Sequence, residues 1–212
     1  MRRATTIVSL AVTLLASEGC ATVARVKEPP FAVELRDRDF EVRRYDSRVV
    51  AETRVAGSRK EAENEGFRRL AGYIFGGNRE KAKVAMTAPV GQRAEPRKIA
   101  MTAPVGQRAE GEGWTVSFTM PTGETLATLP EPSDARVTLR ELPQSRFAVV
   151  KFSGRWTEES FAKNTDSLRT WLGEHGVQAA GAPEVNRYDP PWTPWFMRRN
   201  EVWVPIEDQP AP

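Results

Sequence analysis

The sequence holds one cysteine, Cys20, and one histidine, His175. A lone cysteine excludes an intrachain disulfide framework and a cysteine-based zinc site. A lone histidine excludes a multi-histidine metal centre, and any Ser-His-Asp chemistry would have to run through His175. No Gly-x-Ser-x-Gly elbow occurs. Gly76-Gly77-Asn78 is followed by neither dinucleotide nor Walker spacing, so it is no phosphate loop. Paired carboxylates such as Glu158-Glu159 are explained by a first helical turn. Blocks of like charge are also missing. Lys+Arg 31 stand against Asp+Glu 28, interleaved as in Arg36-Asp37-Arg38-Asp39. That pattern makes a solvated mixed surface and no nucleic-acid arm. These absences favour a binding protein over an enzyme.

What is present begins with a leader pattern. Met1-Arg2-Arg3 is basic, and Ala4 to Ala16 is uncharged and apolar. The run is too short to span a bilayer, which takes roughly 20 apolar residues. Residues 1–19 are therefore read as a signal peptide. The stretch Leu14-Leu15-Ala16-Ser17-Glu18-Gly19-Cys20 resembles a bacterial lipoprotein cleavage box, although Glu18 and Ser17 depart from it. Cys20 is the expected lipidation site and first mature residue; an ordinary cleaved leader with an incidental cysteine is the other reading. The chain is accordingly read as exported, periplasmic or membrane-anchored. Residues 20–30 read as a tether, 31–206 as one domain and 207–212 as a flexible tail.

Within the domain, Phe40 to Val55 alternates and is broken at Asp46-Ser47, which predicts two strands. Ser58-Arg59-Lys60-Glu61 is a capping box, and Phe67, Leu70, Ala71 and Ile74 follow at helical spacing up to Gly76-Gly77-Asn78. Residues 83–121 are strand-like, with Trp114, Val116, Phe118 and Met120 on one face. Val137 to Phe152 repeats the two-strand pattern. Thr157 caps a second helix carrying Phe161, Leu168 and Leu172, with Gly176 as its stop. Glu201-Val202-Trp203-Val204 is the last strand signal.

Two repeats run through this order. At an offset of 98, Arg48 falls on Arg146, Leu70 on Leu168, Tyr73 on Trp171 and Ile74 on Leu172. This predicts a duplicated module of two halves, each helix covering a sheet. The second repeat is local. Residues 83–95 recur at 98–110 with Val84/Ile99 as the only difference. Either copy can fill the same strand slot.

Four stretches then carry a resemblance: Tyr73-Ile74-Phe75-Gly76-Gly77-Asn78; Lys98-Ile99-Ala100-Met101-Thr102-Ala103-Pro104-Val105; Phe118-Thr119-Met120-Pro121; and Tyr188 through Trp203. Together they resemble the SOUL haem-binding family. The resemblance implies an α+β fold: a distorted antiparallel β-barrel with two helices and two pseudo-symmetric halves, similar to gyrase-inhibitor-like effector-binding modules. It implies non-covalent binding of haem or another tetrapyrrole, as a carrier, buffer or sensor; a module for another small ligand or a protein partner is the alternative. It places the ligand near the first helix and the loop before the last strand, hence Leu70, Tyr73, Ile74, Trp192, Trp195, Phe196, Arg198 and Arg199. Rings would stack on the porphyrin and arginines would pair with its carboxylates. The competing reading is that Pro190, Pro191 and Pro194 set a rigid loop whose tryptophans close the barrel end. Where some members carry a basic residue this chain has Thr193, so carboxylate pairing falls to Arg198, Arg199, Arg68 or Arg69. His175, at a helix C-terminus, reads as a solvated end residue, so iron would be held without a protein axial ligand. Met86 and Met101 read as core residues and not thioether ligands. The expected partners are a tetrapyrrole and, if Cys20 is lipidated, a membrane, with no nucleic acid.

Overall fold

A computed structural model describes residues 27–79, 97–190 and 192–207. The leader, Cys20, Met86 and the 83–95 copy of the local repeat lie outside them. The elements run β1 (Phe31–Asp37), β2 (Phe40–Tyr45), β3 (Arg48–Ala56), α1 (Arg59–Ile74), β4 (Asn78–Arg79), β5 (Val105–Glu110), β6 (Gly113–Thr119), β7 (Glu131–Pro132), β8 (Val137–Leu142), β9 (Ser145–Phe152), α2 (Glu158–Glu174), β10 (Glu184–Arg187), a 3-10 turn (Trp195–Met197) and β11 (Asn200–Pro205).

Both helices start where side chains satisfy their first amides. The Ser58 hydroxyl accepts from Glu61 N–H, and the Glu61 carboxylate accepts from Ser58 N–H at 2.9 Å, the reciprocal pair of a capping box. Thr157 does the same for α2 through Ser160 N–H at 3.1 Å. Past α1, Gly76 takes φ 117°. Asn78 then donates to the carbonyls of Tyr73 and Arg97, both at 2.7 Å, and ties the chain down.

Among the described residues, nine strands form one antiparallel sheet in the order β1-β2-β9-β11-β10-β5-β6-β3-β8, curled into a half-barrel. Read outward from the β5–β10 pair, one arm is β5, β6, β3, β8 and the other is β10, β11, β9, β2. The duplicated module is therefore present, with β1 added at one edge. The two expected strands of 40–55 do not pair with each other. β2 joins β9 and β3 joins β8, so Asp46-Ser47 is where the chain passes from one arm to the other.

Each arm packs one face on a helix. Val49, Ala51, Val116, Phe118 and Met120 lie under Leu70, Tyr73 and Ile74 of α1, while Ala148, Val150, Val202 and Val204 lie under Leu168, Trp171 and Leu172 of α2. The offset of 98 holds for the helices but not for the strands. Alternation puts Arg146 on the helix side with Ala148, whereas Arg48 points to the opposite side from Val49. The Arg48–Arg146 equivalence is thus a one-residue slip.

The 98–110 copy of the local repeat supplies Ile99 to the α1 core and all of β5. Residues 97–104, expected to be strand, are outside it. Their Ile99 N–H bonds to Ile74 O at 2.8 Å, and Met101 packs on the core. Residues 27–30, assigned to the tether, belong to the domain. Lys27 bridges Thr102, Pro29 is buried and Glu28 pairs with Arg199.

α1 approaches its sheet closely at Gly66, where a Cβ would sit 2.5 Å from Val116 Cγ2. Val116 is fully buried and has no room to yield. Gly66→Ala is expected to lose about 1–3 kcal/mol despite the better helix propensity of alanine, because overpacking displaces α1. Urea unfolding of the two proteins checks this, and a gain in stability would contradict the close approach.

Candidate functional site

The loop between β10 and β11 holds four of the nine large hydrophobic side chains exposed among the described residues. Trp192 is 82% exposed, Phe196 61% and Met197 65%, with Trp195 half-exposed. Water contact on this scale is unfavourable for such side chains, and contiguous exposed rings mark a binding surface. Pro194 stands at the N-terminus of the Trp195–Met197 turn, and Trp195 and Phe196 meet edge to face with centroids 5.6 Å apart. Arg198 Nε donates to Thr193 O at 2.7 Å and closes the turn. The exposed Arg155 lies over the Trp195 ring at 5.7 Å and makes no ion pair among the described residues.

The foot of the loop is held by buried charge. Glu201, at 0% exposure, receives two bonds from Arg43 at 2.9 and 3.0 Å, one from Tyr188 Oη at 2.6 Å and one from Trp203 Nε1 at 2.7 Å. Arg199 adds two more at 3.0 and 2.8 Å. Arg43, also fully buried, extends the cage to Glu41, which takes Lys151 as well. Burial by itself would raise the Glu201 carboxyl, but bonds and charge from Arg43 and Arg199 outweigh it and hold it below the usual range. Tyr188 is pushed well above its ordinary value by burial and by the Glu201 charge, so it stays a donor. Asp189 accepts Arg199 N–H at 2.6 Å, and the Arg199 guanidinium covers the Tyr188 ring at 3.8 Å.

A second cationic cluster flanks the same foot. Trp156 lies between Arg187, at 4.0 Å, and Arg59, at 5.3 Å. Arg187 pairs with Glu63 and Arg59 with Glu158. Even so, Arg59 Nη1, Arg187 Nε and Trp156 Nε1 are buried donors without an acceptor among the described residues. Burial, with the charges of Arg59 and Arg198, pulls the Arg187 guanidinium down to about 9.

The sequence-predicted residues separate in this geometry. Trp192, Trp195 and Phe196 form the exposed loop. Leu70, Tyr73 and Ile74, expected to face a tetrapyrrole, are turned inward at 0%, 2% and 1% exposure. They are the core stripe of α1, and Tyr73 spends its hydroxyl on Pro130 O at 3.0 Å. The exposed apolar residues of α1 are Phe67 and, at its C-terminal end, Phe75. Arg199 is committed to Glu201 and Glu28, Arg69 to Glu65 and β3, and Arg68 to Glu65. His175 caps α2, its Nδ1 2.8 Å from Trp171 O and its ring stacked on Trp171. Among the described residues no three His, Cys, Asp or Glu side chains group to hold a metal. Arg155 is the neighbour of the loop that sequence reasoning misses, because nothing in its local sequence signals the approach to Trp195, 40 positions on.

These features fit a flat apolar ligand with carboxylates: ring faces to stack on, and a guanidinium beside them. Residues 26–205 match the family model described as SOUL heme-binding protein. Heme-binding protein 1 of Xenopus laevis is 28% identical over 165 residues, covering 77% of this chain and 82% of that protein. Among solved structures, the C-terminal domain of EcmrR is similar with a TM-score of 0.55 at 11% identity, covering 80% of this chain and 98% of that one. A hydrolase from Listeria innocua has a TM-score of 0.53 at 10% identity, covering 82% and 94%. At these identities the solved structures show the fold alone.

Proposed function

Because the chain belongs to the SOUL heme-binding protein family, we propose that it binds haem or a related tetrapyrrole on the Trp192–Met197 loop. The observation that carries this is the contiguous exposure of Trp192, Trp195, Phe196 and Met197 on a loop whose foot is fixed by the Glu201 cage. Rings of this size give a porphyrin two faces to stack against. Arg155, over Trp195, is the cation placed to meet a carboxylate, with Arg198 following directly on the turn. Leu70, Tyr73 and Ile74 act through packing: they seat α1, and do not touch the ligand.

In this reading the iron takes no histidine from the protein, and the role is that of a carrier, buffer or sensor and not of an enzyme. Titration of the His175→Ala variant with haemin is expected to match the parent protein within about twofold in Kd, since His175 caps α2 and is not part of the Trp192–Met197 loop. Loss of the Soret shift in that variant, with α2 intact by circular dichroism, would assign the iron to His175 and overturn the reading.

The leader pattern supports placement in the cell envelope, with Cys20 as the lipid-bearing residue. Radioactive palmitate is expected to label the parent chain and not Cys20→Ala when both are made in a bacterium. Equal labelling, or none in either, would remove the anchor.

A further inference from the structure

The Trp195–Met197 turn stands clear of the domain. A 3-10 turn sets successive side chains about 120° apart around its axis, and no residue of this one is buried. Trp195, Phe196 and Met197 are all exposed, as is Trp192 just before them. Three rings and a thioether therefore project as a tip and not as a flat patch. The tip is formed before anything docks on it. Met197 N–H donates to Pro194 O at 2.9 Å, Arg198 Nε donates to Thr193 O, and the Pro194 ring restricts the entry. A preformed tip of this kind loses little conformational freedom on binding.

The N-terminal segment enters the domain at the foot of the same loop. Glu28 pairs with Arg199 at 2.8 Å, and Lys27 O accepts from Ala103 N–H at 3.0 Å. Cys20 stands seven residues before Lys27, a span of at most about 25 Å for a fully extended chain. A lipid on Cys20 would hold the domain from the foot of the tip, with the rings within reach of the membrane. The charges suit the same partner. Arg155 is exposed beside Trp195, Lys27 is exposed where the segment enters, and Arg198 follows the turn. Tryptophan fits a membrane interface, because its ring is apolar and its N–H stays with the headgroups.

We propose that the Trp192–Met197 tip docks into the interface of a bilayer that contains anionic phospholipid. The rings and Met197 enter the boundary between headgroups and acyl chains, and Arg155 and Lys27 meet lipid phosphates. A flat protein partner would leave part of such a tip in water, whereas a fluid bilayer closes around it. The tether argument rests on the envelope placement proposed above. Insertion itself requires neither a lipid on Cys20 nor a bound tetrapyrrole.

The test mixes the full, ligand-free chain with vesicles of about three parts phosphatidylcholine to one part phosphatidylglycerol. Bromine on the acyl chains serves as a short-range quencher of tryptophan. Residues 1–26 hold no tryptophan, so the leader can bind without being read. Quenching is expected in the parent chain. The variant Phe196→Ser, Met197→Ser keeps both loop tryptophans and is expected to need about tenfold more lipid for the same quenching. Arg155→Gln is expected to need about fivefold more. No quenching in the parent, or either variant matching the parent with its helices intact by circular dichroism, would overturn the proposal. So would self-association of the chain through these rings in place of vesicle binding, read by sedimentation, which would assign the tip to a second copy. Haemin titration without vesicles decides the tetrapyrrole reading separately.

Discussion

Replacing Glu201 by alanine is expected to destabilise the fold by about 3–5 kcal/mol, because it takes the main counter-charge from a buried guanidinium and the acceptor from several buried donors. Arg43 has no exposure, and Glu201 is its main counter-charge. Removing the carboxylate leaves the guanidinium with Glu41 alone and also releases Tyr188 Oη, Trp203 Nε1 and the Arg199 donors that it holds. The Trp203 and Tyr188 donors are ones that folding has largely taken from water. Glu201→Gln keeps the volume and some acceptor capacity, so it is expected to lose less. Urea unfolding at neutral pH reads the difference; a loss under about 1 kcal/mol for the alanine variant would place the cage among ordinary surface pairs. The pH dependence has a definite sign. Glu201 and Glu41 titrate lower in the folded chain than the ordinary 4.5, so they bind protons more readily when unfolded. Their contribution is complete above that value and is lost as pH falls through the folded-state values. The parent protein is expected to weaken steeply in acid, and Glu201→Ala to show a shallower fall.

The double variant Trp192→Ala, Trp195→Ala is expected to weaken haemin binding by about 10- to 100-fold, or about 1.4–2.8 kcal/mol, through loss of two stacking faces and their apolar area. Trp192 is 82% exposed and Trp195 49%, so little packing is lost with them. Thermal stability is expected to hold within about 0.5 kcal/mol. That separation of binding from stability distinguishes a ligand surface from tryptophans that close the end of the half-barrel. In the closing role stability would fall and affinity would not.

The elements with strong local signals are legible in the amino-acid sequence. The capping box at Ser58, the cap at Thr157 and the stops at Gly76 and Gly176 bound both helices where the molecule has them. β6 and β11 alternate cleanly, and the duplicated module follows from the order of patterns. β1 escapes such a reading because it is an edge strand with both faces largely wet. Val33 and Leu35 are exposed and leave no apolar alternation to read. β10 escapes it because Glu184 and Asn186 turn to the opposite face from Val185, which alone marks its fully buried apolar side. The buried cage is hidden for a related reason. Glu41 and Arg43 look like the solvent side of an alternating strand, and their partner Glu201 is 158 positions from Arg43. The aromatic loop is legible because its rings are contiguous in sequence. The inward turn of Leu70, Tyr73 and Ile74 follows from the same apolar stripe that predicts α1, because a stripe at helical spacing is what a core requires.

The central claim is that a tetrapyrrole binds through ring stacking and carboxylate pairing, with no histidine on the iron. Parallel titration of the full chain with haemin and with metal-free protoporphyrin IX tests it most directly. Both are expected to quench tryptophan fluorescence and shift their Soret bands at micromolar concentration, with Kd values within about tenfold of each other, because stacking does not require the metal. Binding of haemin alone, or of neither, would contradict it.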